Sequence, residues 1–277
     1  MSPAWTPELV VDASLARPLI AASFPDLADA PVEPLGSGWD NAAFLVGEQL
    51  VFRFPQRTLA VALMEREIAM LPMLAPQLPL PIPHPRYVGT PSASYPWPFA
   101  GYERIAGITM CTRVVGDAAL ARFVEELARF LRALHDLDPQ PLLARGLLRD
   151  TFGKLSPERL EIAEPPLDDD LRVVHGDLYA RHLLVDEDER LCGVIDWGDL
   201  HYGSVAVDLS ALFMLAPSAL HDRFFATYGP VRPRVLHFAR ARARRHASHT
   251  LEYARSIGDA ALEAAARRAF AFIAASE

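Results

Sequence analysis

One short region constrains this chain more than any other. His175-Gly176-Asp177-Leu178-Tyr179-Ala180-Arg181-His182 follows the apolar run Leu171-Arg172-Val173-Val174 and leads into Leu183-Leu184-Val185. After the acidic turn Asp186-Glu187-Asp188-Glu189 comes Leu191-Cys192-Gly193-Val194-Ile195, which ends on Asp196. Short apolar runs bounded by polar turns read as strands. Three strands therefore carry two carboxylates and a histidine on the loops at their ends. Asp177 and His182 are five positions apart, and Asp196 lies one hairpin further on. That spacing suits a site where two ligands converge on a divalent cation while a third group stays in reach of an attacking hydroxyl.

Kinase-fold loops use the same interval. One Asp accepts the substrate proton, a residue five positions on binds metal, and an Asp ending the next hairpin binds metal again. The likeness extends to Gly38-Trp39-Asp40-Asn41-Ala42-Ala43-Phe44-Leu45-Val46, Leu78-Pro79-Leu80-Pro81-Ile82-Pro83 and Phe99-Ala100-Gly101-Tyr102-Glu103-Arg104-Ile105-Ala106-Gly107, in that order over residues 35–210. On these segments the chain resembles the aminoglycoside phosphotransferase family, most of all the members that modify a 2''-hydroxyl, and more distantly the macrolide kinases. Those members also carry His, rather than the family's frequent Asn, at the place of His182. The resemblance implies an α+β, two-lobed, protein-kinase-like fold with a small β-rich N-lobe and a larger helical C-lobe. It further implies transfer of a phosphoryl group from ATP or GTP to an alcohol group, with Mg²⁺ as metal.

Carried over residue by residue, the resemblance makes Asp177 the catalytic base and His182 and Asp196 the metal ligands. Gly36, Ser37 and Gly38 would cap the triphosphate, since glycine lets backbone amides approach phosphate oxygens closely and the serine can add a hydroxyl donor. Arg53 stands where kinases carry a strand lysine that grips the α- and β-phosphates. The only lysine in the chain, Lys154, falls in a loop of the other lobe. Glu67 matches the helix carboxylate that orients this cation, while Glu65 lies well round the helix and faces solvent. The Glu103 carbonyl and the Ile105 amide would bond the purine, with Val51, Leu184 and Ile195 packed on its faces. Tyr102 takes the gatekeeper position, where a bulky aromatic is associated in this family with a shift from ATP toward GTP. His175 and Asp208 would brace the catalytic loop by hydrogen bonds.

The chain divides near Glu103 to Gly107, which gives a nucleotide-binding lobe over 1–104 and a catalytic and substrate-binding lobe over 105–277. A helix opens at Thr6-Pro7-Glu8, strands run around Pro34 to Val46 and Leu50 to Phe54, and helical spacing covers Thr58 to Leu74. Leu120, Phe123, Val124, Leu127, Leu131 and Leu134 repeat at three and four, marking a long amphipathic helix capped by Asp117. Beyond the catalytic strands the chain reads as helical, with breaks near Pro217, Gly229 to Pro233 and Gly258.

A hydrophobic fraction of 51% over 277 residues supports a substantial core. The net charge of −8 argues against a nucleic-acid partner. Two cysteines form no disulfide framework, and neither a membrane-spanning run nor a secretion signal is visible, so a cytoplasmic monomer without a membrane partner is expected.

The resemblance implies a small-molecule hydroxyl substrate as acceptor. The 2''-class kinases carry an acidic cluster soon after the Asp208 position, suited to polycationic antibiotics, but this chain has Leu212-Phe213-Met214-Leu215-Ala216-Pro217-Ser218 there. Asp199, Asp222 and Glu252 are the remaining candidate pocket acids. The run Arg240, Arg242, Arg244, Arg245, His246 and His249 reads as one exposed face of a long helix. Two alternatives stay open: a metabolic kinase of the same fold acting on an amino alcohol or sugar, and a non-catalytic nucleotide-binding pseudokinase.

Overall fold

A computed structural model describes residues 6–113, 115–150, 153–163 and 170–275. The chain forms two compact units. One runs to Pro76 and resumes over Ile82–Ile105, and the other holds Gln77–Pro81 and Ala106 onward.

The first unit contains α1 (Ala13–Ser23), β1 (Val32–Ser37), β2 (Asn41–Val46), β3 (Leu50–Pro55), α2 (Thr58–Leu74), β4 (Tyr87–Gly89) and β5 (Phe99–Glu103). The strands make one antiparallel sheet in the order β1-β2-β3-β5-β4. Residues Val51 to Pro55 of β3 are all buried, so both faces of that strand are covered. Alternation then divides its side chains. Phe52 and Phe54 join a core with Ala16, Leu19 and Ile20 of α1, and Phe54 stacks on Phe99 at 4.5 Å between ring centroids. The Phe52 ring lies over Gly101, where a Cβ would come within 2.4 Å of it. Val51 and Arg53 alternate to the opposite face, and Tyr102, the register partner of Val51, shares it.

The expected helix at Thr6-Pro7-Glu8 is displaced. α1 begins at Ala13, with Asp12 as its cap accepting from Leu15 N at 3.0 Å. The Glu8 carboxylate instead accepts from the Thr58 amide at 3.1 Å and the Thr58 hydroxyl at 2.6 Å, satisfying the first turn of α2. The acidic signal was a cap, but for a helix fifty residues further on.

The second unit contains β6 (Ile108–Thr109), α3 (Asp117–His135), α4 (Gln140–Leu143), α5 (Pro157–Leu160), β7 (Leu171–Val174), β8 (Leu183–Val185), β9 (Leu191–Val194), β10 (His201–Ser204), α6 (Ala206–Leu215), α7 (His221–Tyr228), α8 (Pro233–Ile257) and α9 (Ala260–Ala274). β7 pairs with β10, while β8 lies between β6 and β9, so the loop 175–182 passes from one small sheet to another. The apolar stripe of α3 is buried as its period predicts. Asp117 is not its cap: Gly116, in extended conformation, holds that position, and Asp117 lies in the first turn. Every residue of α6 is buried, in contact with α8 and α9. Pro81 is tied to this unit through its carbonyl, which accepts from Val194 N at 3.1 Å. Among the described residues no helix is long and apolar enough to cross a membrane.

Candidate active site

The loop between β7 and β8 is anchored from below by Asp208, in the first turn of α6. Its carboxylate accepts from His175 N at 2.8 Å and from Gly176 N at 2.9 Å, and it also meets His135 Nε2 at 3.1 Å. His135 Nδ1 is in turn 2.7 Å from the Tyr228 hydroxyl. Gly176 has φ +92°, and a Cβ there would come within 2.3 Å of the Asp199 carbonyl oxygen, so only glycine lets the chain turn here. His175 Nε2 donates to the Ile195 carbonyl at 3.1 Å, which leaves Nδ1 to accept from Asp177 N at 3.2 Å. Burial, the largest influence on its imidazole, lowers the His175 pKa and keeps the ring neutral.

Asp177 emerges from this scaffold with its side chain 26% exposed. Four basic side chains lie within 4 Å of its carboxylate among the described residues. Lys154 Nζ is 3.6 Å away, Arg242 Nη2 3.7 Å, His246 Nδ1 3.7 Å and His182 Nδ1 3.8 Å. Burial by itself pushes the Asp177 carboxyl up, but the charges of Lys154, His246, His182 and Arg242 outweigh it. The pKa is held well below the usual carboxylate range. His246 moves the other way: burial, with Arg242 and Lys154 adding to it, outweighs the pull of Asp177 and lowers it to about 3, so it is a neutral imidazole at neutral pH and carries charge only in the acid range where Asp177 itself titrates.

Five residues after Asp177 the chain returns to it. His182 Nδ1 is 2.7 Å from the Asp177 carbonyl oxygen, which can only accept, so Nδ1 carries the proton. Its Nε2 then faces Asp196 Oδ2 at 3.3 Å. Two acceptors confront one another there unless a proton or a cation stands between them. Burial opposes a second proton on His182, yet the charge and hydrogen bond of Asp196, with Asp177, outweigh it and raise the pKa. Asp196 has φ +64°, a left-handed conformation uncommon for a non-glycine residue, and its side chain is 45% exposed.

These two side chains fit a small divalent cation. Adjacent ligands of an octahedral Mg²⁺ at about 2.1 Å stand about 3 Å apart. Among the described residues no group of three or more His, Cys, Asp or Glu side chains could hold a metal alone, so a cation here would also need phosphate oxygens or water.

In the first unit, Arg53 Nη1 donates to both oxygens of Glu67, at 2.9 and 2.7 Å, and both residues are buried, whereas Glu65 is exposed. Gly36, Ser37 and Gly38 are exposed where β1 ends. The Gly38 amide donates to the Asn41 carbonyl at 3.0 Å to close the β1–β2 turn, and Ser37 Oγ accepts from Gln56 Nε2 at 2.9 Å. A Cβ on Gly36 or Gly38 would meet nothing within 4 Å, so no close contact inside the chain requires glycine at either position. Val51 and Tyr102 are buried, Ile105 is half-buried, and the exposed Glu103 side chain pairs with Arg86. In the second unit Leu184 is buried on β8 and Ile195 half-buried beyond β9.

The structure corrects the reading of the basic run on α8. Arg240, Arg244 and His249 are exposed, but Arg242 is buried and His246 is 13% exposed, and both point at Asp177. They are four residues apart, one turn of the same helix face. Lys154 is the other residue that sequence reasoning missed. It lies 22 positions before Gly176, yet donates to the Gly176 carbonyl at 2.9 Å and to Asp199 Oδ2 at 2.8 Å. Asp199 is thereby drawn into the cluster, while Asp222 and Glu252 stay on exposed faces of α7 and α8.

A partly exposed carboxylate beside a histidine–carboxylate pair, on a kinase-like fold, is an arrangement suited to phosphoryl transfer. The chain belongs to the phosphotransferase enzyme family, whose sequence model matches residues 31–245. Among solved structures it is similar to the GDP complex of aminoglycoside 2'-phosphotransferase-IIIa, with a TM-score of 0.74 at 23% identity, covering 95% of this chain and 99% of that one. A GDP and kanamycin complex of a 2''-aminoglycoside phosphotransferase matches with a TM-score of 0.71 at 23% identity over 94% and 98% of the two chains. Macrolide 2'-phosphotransferase MphH from Brachybacterium faecium matches at 0.65 and 24% over 94% and 98%. At these identities the likeness is one of fold. No curated protein matches the chain in sequence.

Proposed function

We propose that this protein is a small-molecule kinase that transfers the γ-phosphoryl group of ATP or GTP to a hydroxyl of an aminoglycoside-like or other hydroxylated acceptor. The observation that carries this reading is the meeting, where the braced loop 175–182 comes beside Asp196 beyond β9, of the partly exposed Asp177 with the His182–Asp196 pair 3.3 Å apart. Asp177 accepts the acceptor's proton as its oxygen attacks, a role that needs a carboxylate within hydrogen-bond reach of the hydroxyl. His182 and Asp196 hold Mg²⁺, which neutralises charge on the phosphates when bound. Asp208 and His175 keep the loop in place and touch no reacting atom.

In the first unit, Gly36, Ser37 and Gly38 approach phosphate, and Arg53, oriented by Glu67, grips it bidentately. Val51 and Tyr102, on the same face of the sheet as Arg53, meet the base together with the backbone of Glu103 and Ile105; Leu184 and Ile195 supply apolar contacts. Asp199 belongs to the acceptor end. The protein acts as a cytoplasmic monomer.

The test is turnover with Mg²⁺ and either nucleotide against hydroxylated amines, aminoglycosides and macrolides, read as product mass. Transfer to at least one acceptor, reduced on the order of 10² to 10⁴-fold in Asp177→Asn with nucleotide affinity kept within severalfold, is the expected result. Equal turnover by Asp177→Asn and the parent would remove Asp177 from the mechanism.

A further inference from the structure

This chain uses arginine wherever it needs a cation, with one exception. Of its 27 basic lysine and arginine side chains only one is lysine. That residue, Lys154, donates to the carbonyl of Gly176 at 2.9 Å. Arg242 reaches the same oxygen from α8 at 3.0 Å, while its Nε donates to the Val207 carbonyl at 3.3 Å. Two cations from segments nearly ninety residues apart thus converge on the peptide that precedes Asp177. The amide side of that residue is held by Asp208 Oδ1 at 2.9 Å.

We propose that Lys154 and Arg242 form a two-cation clamp on the Gly176 carbonyl that aims the Asp177 carboxylate, making both of them positioning residues for the transfer reaction. This rests on the function proposed above for Asp177. Gly176, at φ +92°, has no side chain to limit its rotation, so the direction of its carbonyl is set by what bonds to it. Asp208 holds the amide behind it, and the clamp holds the carbonyl oxygen. With both ends fixed, the peptide plane that leads into Asp177 has one orientation, and the Asp177 carbonyl, 2.7 Å from His182 Nδ1, holds the residue on its other side. A lysine suits the place because one compact ammonium bonds Gly176 O and Asp199 Oδ2 together, with its side chain only 12% exposed. A planar guanidinium is longer and delivers its donors in a fixed fork.

The clamp predicts a split in kinetics. A displacement of about 1 Å at a reacting group can cost about 10²-fold in rate, so Lys154→Ala should lower kcat about a hundredfold with KM for nucleotide within about threefold. Lys154→Arg should recover little of the loss. Lys154→Cys treated with bromoethylamine, which rebuilds a lysine-length ammonium, should regain most of it, with the parent treated in parallel to control for Cys111 and Cys192. Arg242→Lys supplies the second arm. Because both cations act on one oxygen, the double variant should lose well under the product of the two single losses. Full recovery in Lys154→Arg, no recovery on aminoethylation, or multiplicative losses would overturn the clamp.

A readout without turnover separates this proposal from the assigned reaction. Amide hydrogen exchange over residues 174–180 should rise in Lys154→Ala and return on aminoethylation of Lys154→Cys. Unchanged exchange there refutes the clamp whatever the activity. If exchange behaves as expected while the parent phosphorylates no acceptor, the loop is clamped and the assigned reaction is the part that fails.

Discussion

Arg53 presents a single guanidinium nitrogen to both carboxylate oxygens of Glu67, 14 positions later, and the pair is buried on the face of the sheet that carries Val51 and Tyr102. Removing one member breaks a buried ion pair, which costs about 3–5 kcal/mol. Glu67→Ala should therefore show that loss in urea unfolding. Arg53→Lys should keep the fold and change nucleotide affinity, because an ammonium forfeits the fork that a phosphate can meet bidentately. A Glu67→Ala protein as stable as the parent would mean that the buried pair adds no net stability.

Metal dependence should rank the two proposed ligands, Asp196 and His182. Asp196 contributes a charge and the His182 imidazole does not, so Asp196→Ala should weaken Mg²⁺-dependent nucleotide binding more than His182→Ala does. Calorimetric titration of nucleotide with and without Mg²⁺ measures both losses. A larger metal-dependent loss in His182→Ala reverses the ranking.

Nucleotide choice should lie with Tyr102, buried on β5 opposite Val51. We expect GTP to be used at least as well as ATP, and Tyr102→Met to shift the preference toward ATP by about tenfold or more, since a pocket-wall change is worth about 1–3 kcal/mol. The ratio of kcat/KM for the two nucleotides in each protein is the measurement. An unchanged ratio would show that Tyr102 does not face the base.

Asp208 should make stability depend on acid. Burial alone raises its carboxyl pKa, but the hydrogen bond and charge of His135, with His175 and the Gly176 amide, outweigh it and bring it below 3.8. A depressed folded pKa means that the unfolded chain binds the proton first. The stabilisation is therefore complete above pH 3.8 and is lost as pH falls through the folded value. Asp208→Asn should cost about 2–3 kcal/mol at neutral pH and flatten the acid limb of the stability curve. An Asp208→Asn curve parallel to the parent's down to the acid transition would show that Asp208 is not the group responsible.

Local order decided what could be read without a structure. The Asp177–His182 interval and the hairpin to Asp196 are short-range facts, because a loop of five residues has few ways to return to itself. The periods of α2 and α3 are local for the same reason: a helix repeats every 3.6 residues, and Glu67 and Glu65 fall on different sides of it. The family resemblance rested on such segments in order. Caps were less legible, because a capping carboxylate is recognised by the amide it reaches. Glu8 reaches Thr58 rather than its own neighbours, and Gly116, not Asp117, holds the start of α3.

Tertiary structure alone decided which charges meet. Lys154, Arg242 and His246 are separated from Asp177 by 23, 65 and 69 positions, and no periodicity connects a loop before β7 to the middle of α8. In sequence, Arg242 is one of several arginines on an amphipathic helix. Packing α8 against α6 turns that one inward and leaves Arg240 and Arg244 in solvent. The pattern of a helix tells which residues share a face, but burial of a charge also requires its partner, and here the partners arrive from two distant segments, the Lys154 loop and α8, on a single carbonyl and a single carboxylate.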